Sequence, residues 1–394
     1  MNYARFSAYY FLFFFTVAVF APYFSLFLSS RGLSSSQVGL VMAVMPFVGI
    51  LLQPVWGMMN DRYRAHKGTI IVGLAVISAT MFSIGTAHQL VWCLLAAIVI
   101  AFFQPVLIPL NDSITVQAAG IEGYGKVRLF GSLGYAVFIV IDSYIIHKYG
   151  ISRFPLLYLL TSFVAVVPGL MLLPRQQRLI DGNGPVGNRY AGLDKLFRNR
   201  SFVLILLFTL FVMISQWINN NFFTLYYVNL HRPLTLLGTV YAISALSELP
   251  FFFISGRLIT RFGPEKVFLF AAGVYTIRWC VLGFGPATWV IVIVQLFNGM
   301  SFGLAFAAGI AIARRVSDHT NHVTAQTVYS AVTTGIASIV GSLLAGDALQ
   351  HFGPEAIYVT AAITSAIGFC CMIWYVMQSK VHGKDGQTAA VRES

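Results

Sequence analysis

Long apolar runs, each about 20 residues or more, follow one another almost without pause from residue 6 to residue 378. A run of that length is what a helix needs to cross a bilayer at 1.5 Å per residue. In lipid every backbone N–H and C=O must be satisfied within the chain, which leaves helices or closed barrels. The chain is therefore expected to be an all-α membrane protein. Twelve spans are read at 6–29, 36–59, 69–87, 90–118, 124–147, 154–173, 201–230, 234–259, 265–284, 287–313, 322–349 and 354–378.

Charge sets the orientation. Only 10% of the 394 residues are charged, against about 25% in soluble domains. The net charge of +12 forms no patch on a polar domain, so nucleic acid is not an expected partner. The basic residues sit in short loops. Twenty of the 25 Lys and Arg fall on the side that carries both termini, and four fall on the other: Arg31, Lys148, Arg153 and Arg232. That bias places both termini in the cytoplasm and the protein in the cytoplasmic membrane. The four cysteines, Cys93, Cys280, Cys370 and Cys371, lie within apolar runs at no metal-ligand spacing and read as small apolar filler.

An internal repeat divides the chain. Gly39, Gly57, Arg62 and Lys67 recur as Gly238, Gly256, Arg261 and Lys266, always 199 positions on. Between the copies lies a polar stretch with Asp181-Gly182-Asn183-Gly184-Pro185, a flexible linker by composition. The expected organisation is a six-helix bundle over 1–173, a cytoplasmic linker over 174–200, a second bundle over 201–379 and a disordered cytoplasmic tail over 380–394.

Two six-helix halves, a basic central loop and Gly57-x-x-x-Asp61-Arg62 after the second span resemble the major facilitator superfamily over nearly the whole chain. The match is imperfect: Arg64 stands where the family has Gly, and Thr260 replaces the Asp in the second copy, which keeps Gly263. The resemblance implies two pseudo-symmetric bundles around a central cavity, alternating access, and a conformational latch built from Gly57, Asp61, Arg62 and Arg261.

Polar residues inside spans are costly and need a reason. Span 4 carries Gln104, Pro105, Pro109, Asn111 and Asp112. Two prolines in five residues free backbone carbonyls, tolerable beside protein or a wet cavity. Gln104 and Asn111 are seven apart and are expected on one face. Span 5 repeats Arg128, Gly131 and Tyr135 along one face, with Gly131 and Gly134 open to close packing. A short turn joins the two spans, so Asp112 and Arg128 are expected to meet as a pair, structural or substrate-binding. This entry to span 5 resembles the lactose permease and phenylpropionate permease branch. There an Arg matching Arg128 and a span 4 acid bind substrate, and an aromatic matching Tyr135 stacks on it. Asp112 carries over only if the turn is two residues shorter here.

In the second half Glu248 and Arg278 lie about 18 and about 20 Å from the cytoplasmic end. Matching depth on neighbouring spans predicts a buried pair, structural or functional. The resemblance makes Glu248 a substrate contact and places Arg278 in the proton-coupling set. Where the branch has a His and a Glu on span 10, this chain has Asn298 and Ser301, which do not titrate usefully. Any coupling proton must then bind Glu248 or Asp112, with a solute coming between acid and Arg as the trigger. Span 7 adds Gln216, Asn219, Asn220 and Asn221, of which Gln216 and Asn220 share a face. Gln53, Trp56, Gln326 and Tyr329 are weaker candidates, and Asp142 and Asp347 read as interface or gate residues near the outer ends.

The expected substrate-binding set is therefore Asp112, Arg128, Tyr135, Asn220, Glu248 and Asn298. The function expected is secondary active transport of a small polar organic solute (sugar-like, nucleoside or aromatic acid) by proton symport. An exporter of sugars or drugs and a non-transporting membrane sensor are the alternatives. No cofactor beyond the proton gradient, no metal and no enzyme chemistry is expected, and the carrier reads as a monomer.

Overall fold

The computed structural model describes residues 3–63, 66–86, 89–173, 193–317 and 322–392. Twelve helices among them are long and apolar enough to cross a membrane. They are α1 (Tyr3–Ser30), α2 (Ser35–Leu52), α3 (Lys67–Thr86), α4 (Leu90–Val116), α5 (Gly123–Tyr149), α6 (Ile151–Met171), α7 (Arg200–Asn229), α8 (Leu234–Phe262), α9 (Pro264–Gly283), α10 (Thr288–Val316), α11 (Thr324–Phe352) and α12 (Pro354–Gln378). The protein is an all-helical membrane protein of two six-helix bundles, as the apolar runs dictate.

Local chemistry sets the ends. Helical backbone runs from α4 into α5 with one break, at Gly120, whose φ of 68° suits a residue without Cβ. Gly263 turns the chain between α8 and α9 at φ 84°. That is the glycine retained in the second repeat copy; its counterpart Arg64 lies outside the described residues. Pro264 and Pro354 open α9 and α12 at positions where a missing N–H costs nothing. Asn199 caps α7, its Oδ1 accepting from Ser201 N at 3.1 Å and Phe202 N at 3.3 Å. The backbone of the final helix runs from Pro354 to Arg392.

Glycines set how closely the helices approach. A Cβ on Gly134 would overlap the Phe11 carbonyl, and one on Gly131 would come within 2.7 Å of Phe14, so α5 lies directly against α1. Two glycine seams join the halves at the end remote from the termini. In one, Gly39 of α2 faces Ser342 and Gly346 of α11; an added Cβ would stand 2.5 Å from the Ser342 carbonyl oxygen. In the other, a Cβ on Gly238 of α8 would overlap the Ile139 carbonyl and stand 2.8 Å from Ser143 Cβ. The repeat is visible in both partners, since Gly39 and Gly238, like Ser143 and Ser342, differ by 199 positions. Ser143 donates to the Leu234 carbonyl and accepts from Gly238 N at 3.1 Å. Ser36 donates from Oγ to Asp347 at 3.1 Å and from N to Gln350 at 2.9 Å.

Candidate functional site

Between the halves lies a cavity of about 1570 Å³. Behind the seams it extends toward the end that carries the termini, lined as far as Trp56, in the continuation of α2 within the helix Ser35–Tyr63, and Thr324 on α11. Two of its helices lose regular geometry there, with widened π-type turns at Gly299–Gly303 in α10 and Ala331–Ile336 in α11. Such turns redirect side chains and carbonyls and recur at functional sites.

The wall from the second half is built around a buried cation. Arg278 is 2% exposed. Its Nε donates to the Val294 carbonyl at 3.2 Å, Nη2 to Gln295 Oε1 at 2.9 Å, and Nη1 to Asn298 Oδ1 at 3.0 Å and to the Ser301 hydroxyl. The guanidinium also lies 4.6 Å from the Trp279 ring centroid. Asn298 then donates from Nδ2 to Glu248 Oε1 at 2.7 Å. Arg only donates and a carboxylate only accepts, so an amide, with one group of each kind, joins them. Glu248 and Asn298 line the cavity, and Arg278 stands behind them.

The direct Glu248–Arg278 pair expected from depth is therefore a bridged one; among the described residues no ion pair joins the two. The reason lies beside the bridge. A Cβ on Gly299 would overlap the Ser247 carbonyl, and Gly299 N donates to Ser247 Oγ at 3.0 Å. α10 thus sits tight against α8 and inserts Asn298 between acid and Arg. Asn298 and Ser301, which the sequence marks as departures, are the neutral groups that hold Arg278.

α7 supplies amides. Gln216 Nε2 donates to Asn220 Oδ1 at 2.8 Å, the shared face expected from their spacing. Asn219 Oδ1 accepts from Tyr358 at 2.7 Å, and Asn221 Nδ2 donates to Ser342 at 2.8 Å. All four side chains line the cavity. Ser338, 3.3 Å from Asn221 Nδ2, and Thr334 join them from α11, a face the sequence reading missed. Its signal is small polar residues inside an apolar span.

The first half contributes Gln104, Arg128 and Tyr135. Arg128 lies 4.5 Å from the Phe14 ring centroid. Tyr135 is in electrostatic reach of Glu248 across the seam between the halves. Asp112 is not among the lining residues. Its Oδ1 accepts from Tyr10 at 2.6 Å, and Tyr124 lies between it and Arg128, in electrostatic reach of both. Among the described residues no ion pair joins Asp112 to Arg128. The short turn brings the two to one region, but the aromatic lining of α1 and α5 takes up both charged groups. Gln104 and Asn111 also separate: Gln104 faces the cavity, while Asn111 is fully buried and accepts from Tyr9.

At the terminus-bearing end, Gly57, Asp61 and Arg62 fall in the helix Ser35–Tyr63, but their side chains lie outside the described residues, as does that of Gln53. Arg261 is exposed, 5.2 Å from the Phe262 ring centroid. Nearby Glu265 pairs with Arg315 at 3.0 Å. Lys67 Nζ donates to the Leu173 carbonyl at 2.6 Å, tying the start of α3 to the end of the first bundle.

With this geometry established, comparison with known proteins decides the family. The model of the MFS_1-like family matches residues 3–360. The chain belongs to that family. It is a major facilitator transporter, not an enzyme. It is 28% identical over 388 residues to an uncharacterized transporter of Bacillus subtilis, YwbF, covering 96% of this chain and 94% of that one. It is 27% identical over 385 residues to the maltose permease of Geobacillus stearothermophilus, covering 96% of each. Among solved structures, a mutant of the nucleoside transporter NupG superposes with a TM-score of 0.83 at 15% identity, covering 94% of this chain and 98% of that one. This major facilitator protein thus shares its fold with carriers of different solutes.

Proposed function

We propose that this transporter imports a hydroxyl-rich small solute, in the first place a sugar or short oligosaccharide, by proton symport through alternating access. The observation that carries the reading is the composition of the cavity wall. Amides from α7, the Asn298 amide and the Glu248 carboxylate supply closely spaced donors and acceptors opposite Arg128 and Tyr135. A neutral polyol matches such a mixed set, and a flat ring face stacks on Tyr135. The similarity to a maltose permease along nearly the full length supports the same class.

In this reading the bodies that rock are 1–173 and 201–379, joined by 174–200, with both termini in the cytoplasm on the charge bias of the loops. The seams at Gly39 and Gly238 then close the outer side, and the cavity faces inward. The substrate contacts are Arg128, Tyr135, Asn220, Glu248 and Asn298. Asp112, held by Tyr10, balances charge at the inner end of the Arg128 wall. Glu248 is the proton acceptor, with Arg278 setting its electrostatic surroundings, and Asp112 is the second carboxylate of the proton-coupling set. Asn298 couples the two ligands: a solute hydroxyl that draws its amide away from Glu248 changes the carboxylate's hydrogen bonding and hence its hold on a proton. The latch at the inner end comprises Gly57, Asp61, Arg62 and Arg261.

The test is internal pH in proteoliposomes of purified protein as disaccharides, nucleosides and phenyl-substituted acids are added one at a time. Acidification with a disaccharide that is lost in Glu248→Gln supports the reading. Radiolabel entry without proton movement would replace symport by facilitated diffusion, and entry of nucleosides or aromatic acids alone would replace the substrate.

A further inference from the structure

Asp142 is a buried carboxyl group that the cavity does not use. It lies on α5 beside Ser143, at the seam with α8, and is fully buried. Neither carboxyl oxygen has a hydrogen-bond partner. The titratable groups in reach are tyrosines: Tyr23 of α1 and Tyr135 of α5, with Tyr241 of α8 beside both. No cation faces it among the described residues. The Tyr23 hydroxyl, also buried, has the Ser143 hydroxyl beside it.

An ionised carboxylate sealed without partner or counter-ion is among the most costly groups a protein can bury, whereas the neutral acid forgoes only ordinary hydrogen bonds. The seam that covers Asp142 is the one that must part for the opposite access state, since Gly238 packs directly on Ile139 and Ser143. Parting it admits water to Asp142 and Tyr23, and hydration favours the ionised form.

We propose that Asp142 is a proton-binding site of the α5–α8 gate, protonated when the gate is shut and ionised when it is open. The proposal rests on the alternating-access reading above. Closing takes one proton from water on the gated side onto the Asp142 carboxylate, and opening returns it to the same side. This proton therefore carries no gradient. It sets where the empty carrier rests: shut in acid, open in alkali. It is distinct from any proton held by Glu248.

The experiment uses the full chain with its four cysteines replaced by alanine and spin labels at Lys148→Cys and Leu236→Cys, both exposed at the gated ends of α5 and α8. Label distances are followed in nanodiscs from pH 5 to pH 9. The expected result is an open-to-shut ratio that rises with pH, by up to about tenfold per unit, the limit for one linked proton. Asp142→Asn should stay shut with no slope, and Asp142→Glu should restore the slope. The exposed His351–Asp347 pair on α11 is the competing source of pH dependence, so His351→Gln should keep the slope. A flat wild-type profile, a slope that survives Asp142→Asn, or one lost in His351→Gln overturns the proposal. If Asp142→Asn does not yield folded protein, Asp142→Ser replaces it, and the wild-type and His351→Gln series still decide. Solute transport with a flat gate profile would sink this proposal alone. An Asp142-dependent slope in a chain that moves no solute would sink only the transport reading.

Discussion

Asn298 donates to Glu248 at 2.7 Å while its carbonyl holds the Arg278 guanidinium, so the carboxylate at the cavity wall and the cation behind it share one amide. Replacing Asn298 with Leu removes both bonds and leaves a carboxylate and a cation each short of a partner. A charge-assisted hydrogen bond contributes about 1.5–3 kcal/mol, so solute uptake should fall by about tenfold or more. Initial uptake rates in proteoliposomes check this. Wild-type uptake in Asn298→Leu would show that the bridge plays no part.

Arg278→Met should act on stability first. It leaves Gln295 Oε1, Asn298 Oδ1 and the Ser301 hydroxyl without their donor in a buried layer. The expected cost is about 3 kcal/mol, read as a clear fall in melting temperature in detergent. Arg278→Lys should recover only part of it, because an ammonium cannot reach the same fork of acceptors. A melting curve unchanged by Arg278→Met would mean that the layer relaxes around the loss.

Gly238→Val places a branched side chain where a single Cβ already overlaps the Ile139 carbonyl. The α5–α8 seam should no longer close, and net transport should be lost. Labelling of a cysteine introduced at Asn220, with the native cysteines removed, should become possible from the gated side. Persistent transport by Gly238→Val would show that this seam need not shut.

Glu265→Gln is the contrasting case. Its partner Arg315 has a side chain 65% exposed, so the pair is screened by water. Exposed pairs contribute at most about 1 kcal/mol. The melting temperature and uptake should stay close to wild type, and a large loss of either would assign the pair a role beyond a surface contact.

The frame was legible because it follows from two strong constraints. Lipid demands long apolar helices, and the 199-residue repeat of Gly39 and Gly238 marks two halves whose glycines meet matching serines. The presence of Gln216, Asn220, Glu248 and Asn298 at a cavity was legible too, since an apolar span tolerates such groups only with cause. Their exact partners were not. Depth along neighbouring helices places Glu248 near Arg278 but says nothing of a third helix, and Gly299 decides that α10 comes close enough to intervene. Tyr10 was invisible as a polar group because a tyrosine in an aromatic span reads as packing, yet it takes up Asp112. Ser338 and Thr334 were missed for the same reason at smaller size.

The paired seams also say how the wall must give way. Each half supplies the glycine of one joint and the serine of the other, so the remote end is fastened by two like pins, one on each side of the cavity. With a single pin released, the other would act as an axle and shear the binding wall sideways, pulling Tyr135 away from Glu248. Only when both slip together does the wall part evenly. Opening should therefore be an all-or-none event, and a carrier fastened at just one pin should be too short-lived to accumulate.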